Sequence, residues 1–182
     1  MKILYIISGL KYGGAEKLLY ATCKYLKAEF KVDIDLVALD GEAPLAPLFA
    51  DLGVRIYYMK KSPVILLKLI TLIVKNRYEV IHTHLIHADI FGRAAAWLSL
   101  MFYHPLIFST THDNYWFRWK KSPFCALVRA ADRFFTLRND SWVLAVSETI
   151  ADTLVRHERI PQTKIRLLRN AVRDDGLITA DD

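Results

Sequence analysis

Apolar and polar positions along this chain fall into two kinds of block that alternate from end to end. Nearly continuous apolar runs cover residues 2–8, 54–59, 80–84, 105–110, 142–146 and 164–168, and residues 32–39 alternate before turning apolar. Runs of this length without polar interruption mark strands covered on both faces. Between them lie longer segments whose apolar residues recur at helical spacing. In residues 15–28 one face carries Leu18, Leu19, Thr22, Cys23 and Leu26. A short helix follows Pro44 with Leu45, Leu48 and Leu52 inward, and Gly53 ends it. Further helices are predicted from Pro63 to about Lys75, over 88–102 and over 148–157, with a longer mixed segment at 114–137. Strands alternating with helices predict an α/β protein with a parallel sheet of about seven strands and right-handed crossovers. The tail from Arg173 to Asp182 is polar and is expected to be poorly ordered.

Composition narrows this only a little. A chain of 182 residues, 53% hydrophobic and 24% charged, is long enough to bury a real core as one domain. The formal charge of +6 points to acidic partners such as nucleotides, phospholipids or nucleic acid without choosing among them. Two cysteines, Cys23 and Cys125, with no CxxC pair, argue against a disulfide framework or a zinc site and for a reducing cytoplasm. The first apolar run stops at Ser8, too early for a signal peptide. The longest apolar stretch, 63–74, contains Lys68 and falls short of the ~20 residues of a membrane span.

The candidate chemistry starts at the first turn. An apolar strand leads into Gly9-Leu10-Lys11-Tyr12-Gly13-Gly14-Ala15-Glu16, and then a helix begins. Gly13 and Gly14 put bare backbone before a helix N-terminus, where outward N–H groups and the dipole favour anions. The pair can equally be a plain tight turn. In an open parallel sheet, ligands sit beyond the carboxyl ends of the strands. The unusual polar residues gather there: Gly13, Gly14 and Glu16 after the first strand, His84 and His87 after the fourth, and Thr111, His112, Asp113 and Asn114 after the fifth. Ser147 and Glu148 follow the sixth strand and Asn170 the seventh, while the opposite strand ends show no such set.

Each residue has a plainer reading as well. Ser147 suits a helix N-cap, which is compatible with ligand contact. Glu16 suits the first turn of its helix. His112 is either structural or a donor to a sugar hydroxyl or phosphate oxygen. His82, His84 and His87 lack a carboxylate or thiolate at ligand spacing, so no metal is expected. There is no nucleophile elbow, Walker A loop or HExxH, and the glycine loop is not GxGxxG, which disfavours a dinucleotide cofactor.

These motifs together resemble a known family. Gly13-Gly14-Ala15-Glu16, Glu79-Val80-Ile81-His82-Thr83-His84, Ser109-Thr110-Thr111-His112-Asp113, Val146-Ser147-Glu148 and Leu168-Arg169-Asn170-Ala171-Val172 occur in that order. They look like the N-terminal half of family 4 retaining glycosyltransferases of the GT-B fold, over residues 2 to about 173. The resemblance implies a Rossmann-like doubly wound sheet, one half of a GT-B fold, with residues 1–170 as the N-terminal, acceptor-side domain and 171–182 as a hinge or linker remnant. The C-terminal donor domain, with its paired glutamates, is expected to lie outside these 182 residues.

It further implies transfer of a sugar from a nucleoside diphosphate sugar, the donor substrate, to a glycan or lipid-linked acceptor, with retention and with no cofactor. His112 takes the place of the family's N-domain catalytic candidate. Gly13, Gly14, Glu16, His84, Asp113, Ser147 and Asn170 would contact substrate, Asn170 from the hinge. The family hinge usually reads Pro-Asn-Gly-Val-Asp; here it is Arg169-Asn170-Ala171-Val172-Arg173. The chain alone is expected to be inactive, with a stand-alone docking module for a separate catalytic subunit as the alternative.

Two stretches bear on the acceptor. Lys60 and Lys61 precede the apolar helix, and Tyr115-Trp116-Phe117-Arg118-Trp119-Lys120-Lys121 interleaves aromatic and basic residues. Both suit an anionic membrane surface; the first equally suits a core helix, and the second a solvated or acceptor-facing loop. The expected place is the cytoplasm, peripheral on the inner face of the membrane. Nucleic acid is not an expected partner, since one such segment has no binding fold around it.

Overall fold

A computed structural model of the chain describes residues 1–41, 43–60, 62–112, 122–138 and 141–169. Seven parallel strands form one sheet: β1 (Lys2–Ile7), β2 (Asp33–Ala38), β3 (Arg55–Tyr58), β4 (Val80–His84), β5 (Leu106–Thr111), β6 (Ser141–Ala145) and β7 (Ile165–Leu167). Their order across the sheet is β3-β2-β1-β4-β5-β6-β7. The connecting helices are α1 (Gly14–Phe30), α2 (Ala46–Asp51), α3 (Ile65–Asn76), α4 (Ile86–Ser99), α5 (Pro123–Thr136) and α6 (Glu148–Arg156). A short 3-10 turn, Gln162–Lys164, leads into β7. The expected α/β architecture with a doubly wound parallel sheet is therefore what the chain forms.

The two faces of β1 explain the layering. Ile3, Tyr5 and Ile7 pack with Leu19 and Cys23 of α1 and with Phe49 of α2. Leu4 and Ile6 point the other way, into a core with Ile65, Leu69 and Ile73 of α3 and Ala88, Ala95 and Ala96 of α4. A strand buried on both faces has no room for polar residues, so the whole of 3–7 reads apolar. Val143 pairs in register with Ser109, whose hydroxyl bonds Asp89 of α4. Val143 and Ala145 pack with Ile150 and Leu154, which puts α6 on the α4 face.

Helix ends follow local chemistry. Ser122 and Ser147 each cap a helix, accepting from Cys125 N and Ile150 N. Gly53, at φ +70, takes the left-handed turn after α2 that a side chain disfavours. Of the mixed segment, Pro123–Thr136 form α5, and α4 begins two residues earlier than its alanine-rich pattern indicated.

Strand order reverses between β1 and β4, and this opens a crevice beyond their carboxyl ends. At the opposite edge the Tyr78 hydroxyl donates to Asp35 Oδ2 at 2.6 Å, with Lys2 Nζ 4.0 Å from the same oxygen. Asp35 and Tyr78 are buried and satisfied by each other, which marks them as structural.

Candidate functional site

The β1–α1 turn leaves the sheet beside β4, because Ile7 pairs in register with His84. Gly13 is the N-cap of α1, in extended conformation and with no side-chain cap bond. The carboxylate of Glu16, one turn on, folds back over it. A Cβ built on Gly13 would lie 2.3 Å from Glu16 Oε2, whereas one on Gly14 would meet nothing within 4 Å. Glu16 is buried, and that burial raises its carboxyl pKa, offset by a bond from its own backbone N–H. Gly14 thus presents open backbone, while the free side of Gly13 is filled by a carboxylate.

The histidines form the centre. On the face of the sheet that Tyr5 shares, His82 and His84 of β4 lie side by side with ring centroids 4.3 Å apart. His84 Nδ1 is 3.0 Å from His112 Nε2, and the two rings stack at 5.3 Å and 28°. His82 Nε2 lies 2.7 Å from Thr110 Oγ1. Burial is the main cause that lowers all three imidazoles: His82 down to about 3, His112 down to about 4, and His84 well below its usual value, with the neighbouring rings adding to the shift of His82 and His84. They are neutral near pH 7. A neutral imidazole exchanges hydrogen bonds with hydroxyls; it does not neutralise a diphosphate.

A row of rings runs across the sheet beneath these groups. Tyr5, His82, Phe108 and Trp142 are register partners on four adjacent strands, with successive centroids 5.2, 6.0 and 5.7 Å apart. On the other face Asp89, at the start of α4, accepts from Thr83 Oγ1 at 2.6 Å and Ser109 Oγ at 2.7 Å. Arg93, one turn further, donates to Thr136, to the Asp132 carboxylate and carbonyl, and to the Asp89 carbonyl. This buried network ties the crevice strands to α4 and α5. The polar-in-apolar positions of Asp89 and Arg93 in the alanine-rich helix were its signal in the sequence.

The sequence candidates divide accordingly. Gly13 with Glu16, and His84 with His112, are brought into contact. Ser147 stands at the end of the next strand, β6, as the cap of α6, with its oxygen accepting from Ile150 N at 3.2 Å. His87 is exposed on the first turn of α4. Lys60 is apart from the crevice, beyond β3 with its stem 3.2 Å from where a Gly41 side chain would begin. Beside it, a groove of about 660 Å³ runs between β3 and α3, lined by Tyr57, Tyr58, Leu67, Lys68, Leu72 and Lys75 among others. Asp113, Asn170, Lys61, Trp116, Arg118, Trp119, Lys120 and Lys121 lie outside the described residues, as does the tail 171–182. Among the described residues no group of three histidine, cysteine or acidic side chains is placed to hold a metal, and no helix is long and apolar enough to cross a membrane.

Comparisons with known proteins add to this geometry. Residues 12–175 match the model of the family described as Glycosyltransferase Family 4. The fold is similar to that of HepE from Anabaena, solved in complex with UDP-glucose, at a TM-score of 0.73 and 16% identity over 94% of this chain and 44% of that one. A glycosyltransferase from Rickettsia africae is similar at a TM-score of 0.68 and 16% identity, over 98% of this chain and 46% of that one. The apo lipopolysaccharide outer core galactosyltransferase WaaB gives 0.67 and 16%, over 98% and 48%. At these identities the likeness is one of fold, that of one half of a GT-B enzyme. The chain spans less than half the length of these solved structures. No curated protein matches its sequence.

Proposed function

This chain belongs to Glycosyltransferase Family 4, and on that premise we propose that it is the acceptor-side half of a retaining enzyme that moves a sugar from a nucleoside diphosphate sugar to a glycan or lipid-linked acceptor. The observation that carries the reading is the His84–His112 pair at the β1/β4 crevice, at the same sheet edge as the turn that ends in the open backbone of Gly14. In this reading His112 touches the transferred sugar, and its neutral imidazole orients a hydroxyl. The Gly14 amide supports the leaving diphosphate as a fixed dipole. Ser147 keeps its hydroxyl proton for substrate while its oxygen caps α6. Residues 1–170 form the acceptor-side domain, 171–182 lead into the hinge through Asn170, and a donor-side domain supplies the opposite wall and most nucleotide contacts.

The test compares the 182-residue chain with a two-domain enzyme carrying it. The chain alone is expected to leave nucleotide sugars intact, and turnover by it would refute the division of labour. In the two-domain enzyme His112→Ala is expected to lower kcat by about 10²-fold or more, the scale of removing one preorganised polar contact from a transition state. Wild-type turnover after that change would remove His112 from the site. The anomer of the product, read by proton NMR, decides retention.

The acceptor is proposed to be reached from an anionic membrane surface, where the protein sits peripherally on the cytoplasmic side. Lys68 and Lys75 line the β3–α3 groove with Leu67, which is 65% exposed; Lys60 follows β3, and the exposed Val64 precedes α3. Lysines bordering exposed apolar groups suit the headgroup region of such a bilayer. Co-sedimentation with phosphatidylglycerol vesicles at low salt, lost in Lys60→Glu/Lys68→Glu, is the expected result. Equal binding to neutral vesicles, or none, would remove the membrane from the proposal.

A further inference from the structure

The bond between His84 and His112 constrains more than their positions. His84 is 4% exposed and its Nδ1 meets His112 Nε2 at 3.0 Å. Two neutral imidazoles can share a hydrogen bond only if one ring donates and the other accepts, so the proton positions of the two rings are linked. If His112 donated from Nε2, His84 would accept at Nδ1 and carry its own proton on Nε2. That nitrogen is buried with no hydrogen-bond partner. A buried N–H without an acceptor is the rarer and costlier defect; a bare acceptor is better tolerated. The arrangement with the lower penalty has His84 donating from Nδ1, with the bare Nε2 buried.

We propose that His84 is a positioning residue for His112: it donates its Nδ1–H to His112 Nε2 and so holds His112 in the tautomer with its proton on Nδ1, a hydrogen-bond donor for an oxygen of the substrate. The inference deepens the role proposed for His112 and rests on that reading for its functional sense. The surroundings keep His84 from turning away. Tyr5 of β1 packs at 5.7 Å from its ring and His82 at 4.3 Å, while His82 is itself engaged by Thr110. The next residue, Leu85, has φ +70, a conformation that leucine rarely adopts and that a packed surrounding must impose. Burial also disfavours a charge on either ring, so the shared proton stays a tautomer choice rather than a cation.

Two-bond proton–nitrogen correlation spectra of the ¹⁵N-histidine-labelled 182-residue chain at neutral pH read the tautomer directly. The expected result is a single state for both His84 and His112, protonated on Nδ1 and bare on Nε2. A proton on His112 Nε2 in the wild-type chain overturns the proposal without recourse to any variant. In His84→Phe, which keeps a ring but no donor, His112 is expected to lose its single state and show both tautomers. In His84→Asn, whose amide offers a donor close to the place of Nδ1, the single state is expected to return. An unchanged His112 spectrum in His84→Phe would also overturn it. These spectra need no turnover, so they stand apart from the activity of His112→Ala, which tests the proposed function alone.

Discussion

The carboxylate of Glu16 occupies the space that a side chain on Gly13 would need, with Oε2 2.3 Å from the position of that Cβ. Glu16 is the third residue of α1, so its charge already complements the helix N-terminus. A diphosphate drawn to the same terminus would meet that charge. Glu16→Gln is therefore expected to tighten binding of UDP or pyrophosphate by about 2- to 5-fold, the scale of one charge at a helix end. Isothermal titration of the chain and the variant checks it; weaker binding in Glu16→Gln would mean that the carboxylate holds the ligand instead.

At Gly92, α4 packs against the sheet without room for a side chain. An added Cβ would lie 2.7 Å from Thr83 Cγ2 and 3.0 Å from Ile6 Cδ1. Thr83 cannot swing aside freely, because its hydroxyl is held by Asp89. Alanine gains helix propensity at this position, but the clash outweighs it. Gly92→Ala is expected to destabilise the chain by about 1–3 kcal/mol in urea unfolding. A stabilised variant would show that the helix lies further from β4.

Arg93 is 1% exposed and joins α4 to α5 through Thr136 and Asp132. Its removal takes away the guanidinium that bonds the Asp132 carboxylate and carbonyl and the Thr136 hydroxyl. Arg93→Met is expected to lose about 3–5 kcal/mol, as for breaking one side of a buried pair. Arg93→Lys is expected to recover only part, because an ammonium cannot reproduce the guanidinium fork. Chemical denaturation of the two variants distinguishes charge from geometry.

Acid is expected to weaken the fold through the histidines. Their folded pKa values lie below the ordinary 6.5, at about 3 for His82 and about 4 for His112, and lower than usual for His84. Between those values and 6.5 the unfolded chain binds more protons, so stability rises with pH there. The contribution is full above 6.5 and is lost as pH falls towards 4 and below. Asp89 works in the opposite sense: burial raises it from 3.8 to about 6, so its contribution is present at low pH and lost as pH rises through 6. Burial raises Glu16 as well, so three imidazoles oppose two carboxyls. The melting temperature is expected to fall from pH 6.5 to pH 4.5, less steeply in His82→Phe and more steeply in Asp89→Asn.

Much of the fold was legible along the chain because its cause is local. A strand covered on both faces must be apolar throughout, so 3–7 announced β1 as a central strand. Ser147 stood where a helix needs an oxygen to accept from its first amides, and it caps α6. The site was legible only as a set of positions. His84 and His112 are 28 residues apart, and nothing near either one indicates a bond between them. The ladder from Tyr5 through His82 and Phe108 to Trp142 needed three strand registers, none of which is encoded next to the residues concerned.

The amino-acid sequence by itself determined the order of strands and helices, the parallel sheet they imply, and the edge at which glycine and histidine residues collect. Those follow from periodicity and turn chemistry, which act over a few residues. Tertiary structure alone decided that β1 and β4 are neighbours and that His84 meets His112 through Nδ1. Such contacts depend on which strands pair and in what register, and burial then removes the water that would otherwise let each polar group choose its own partner.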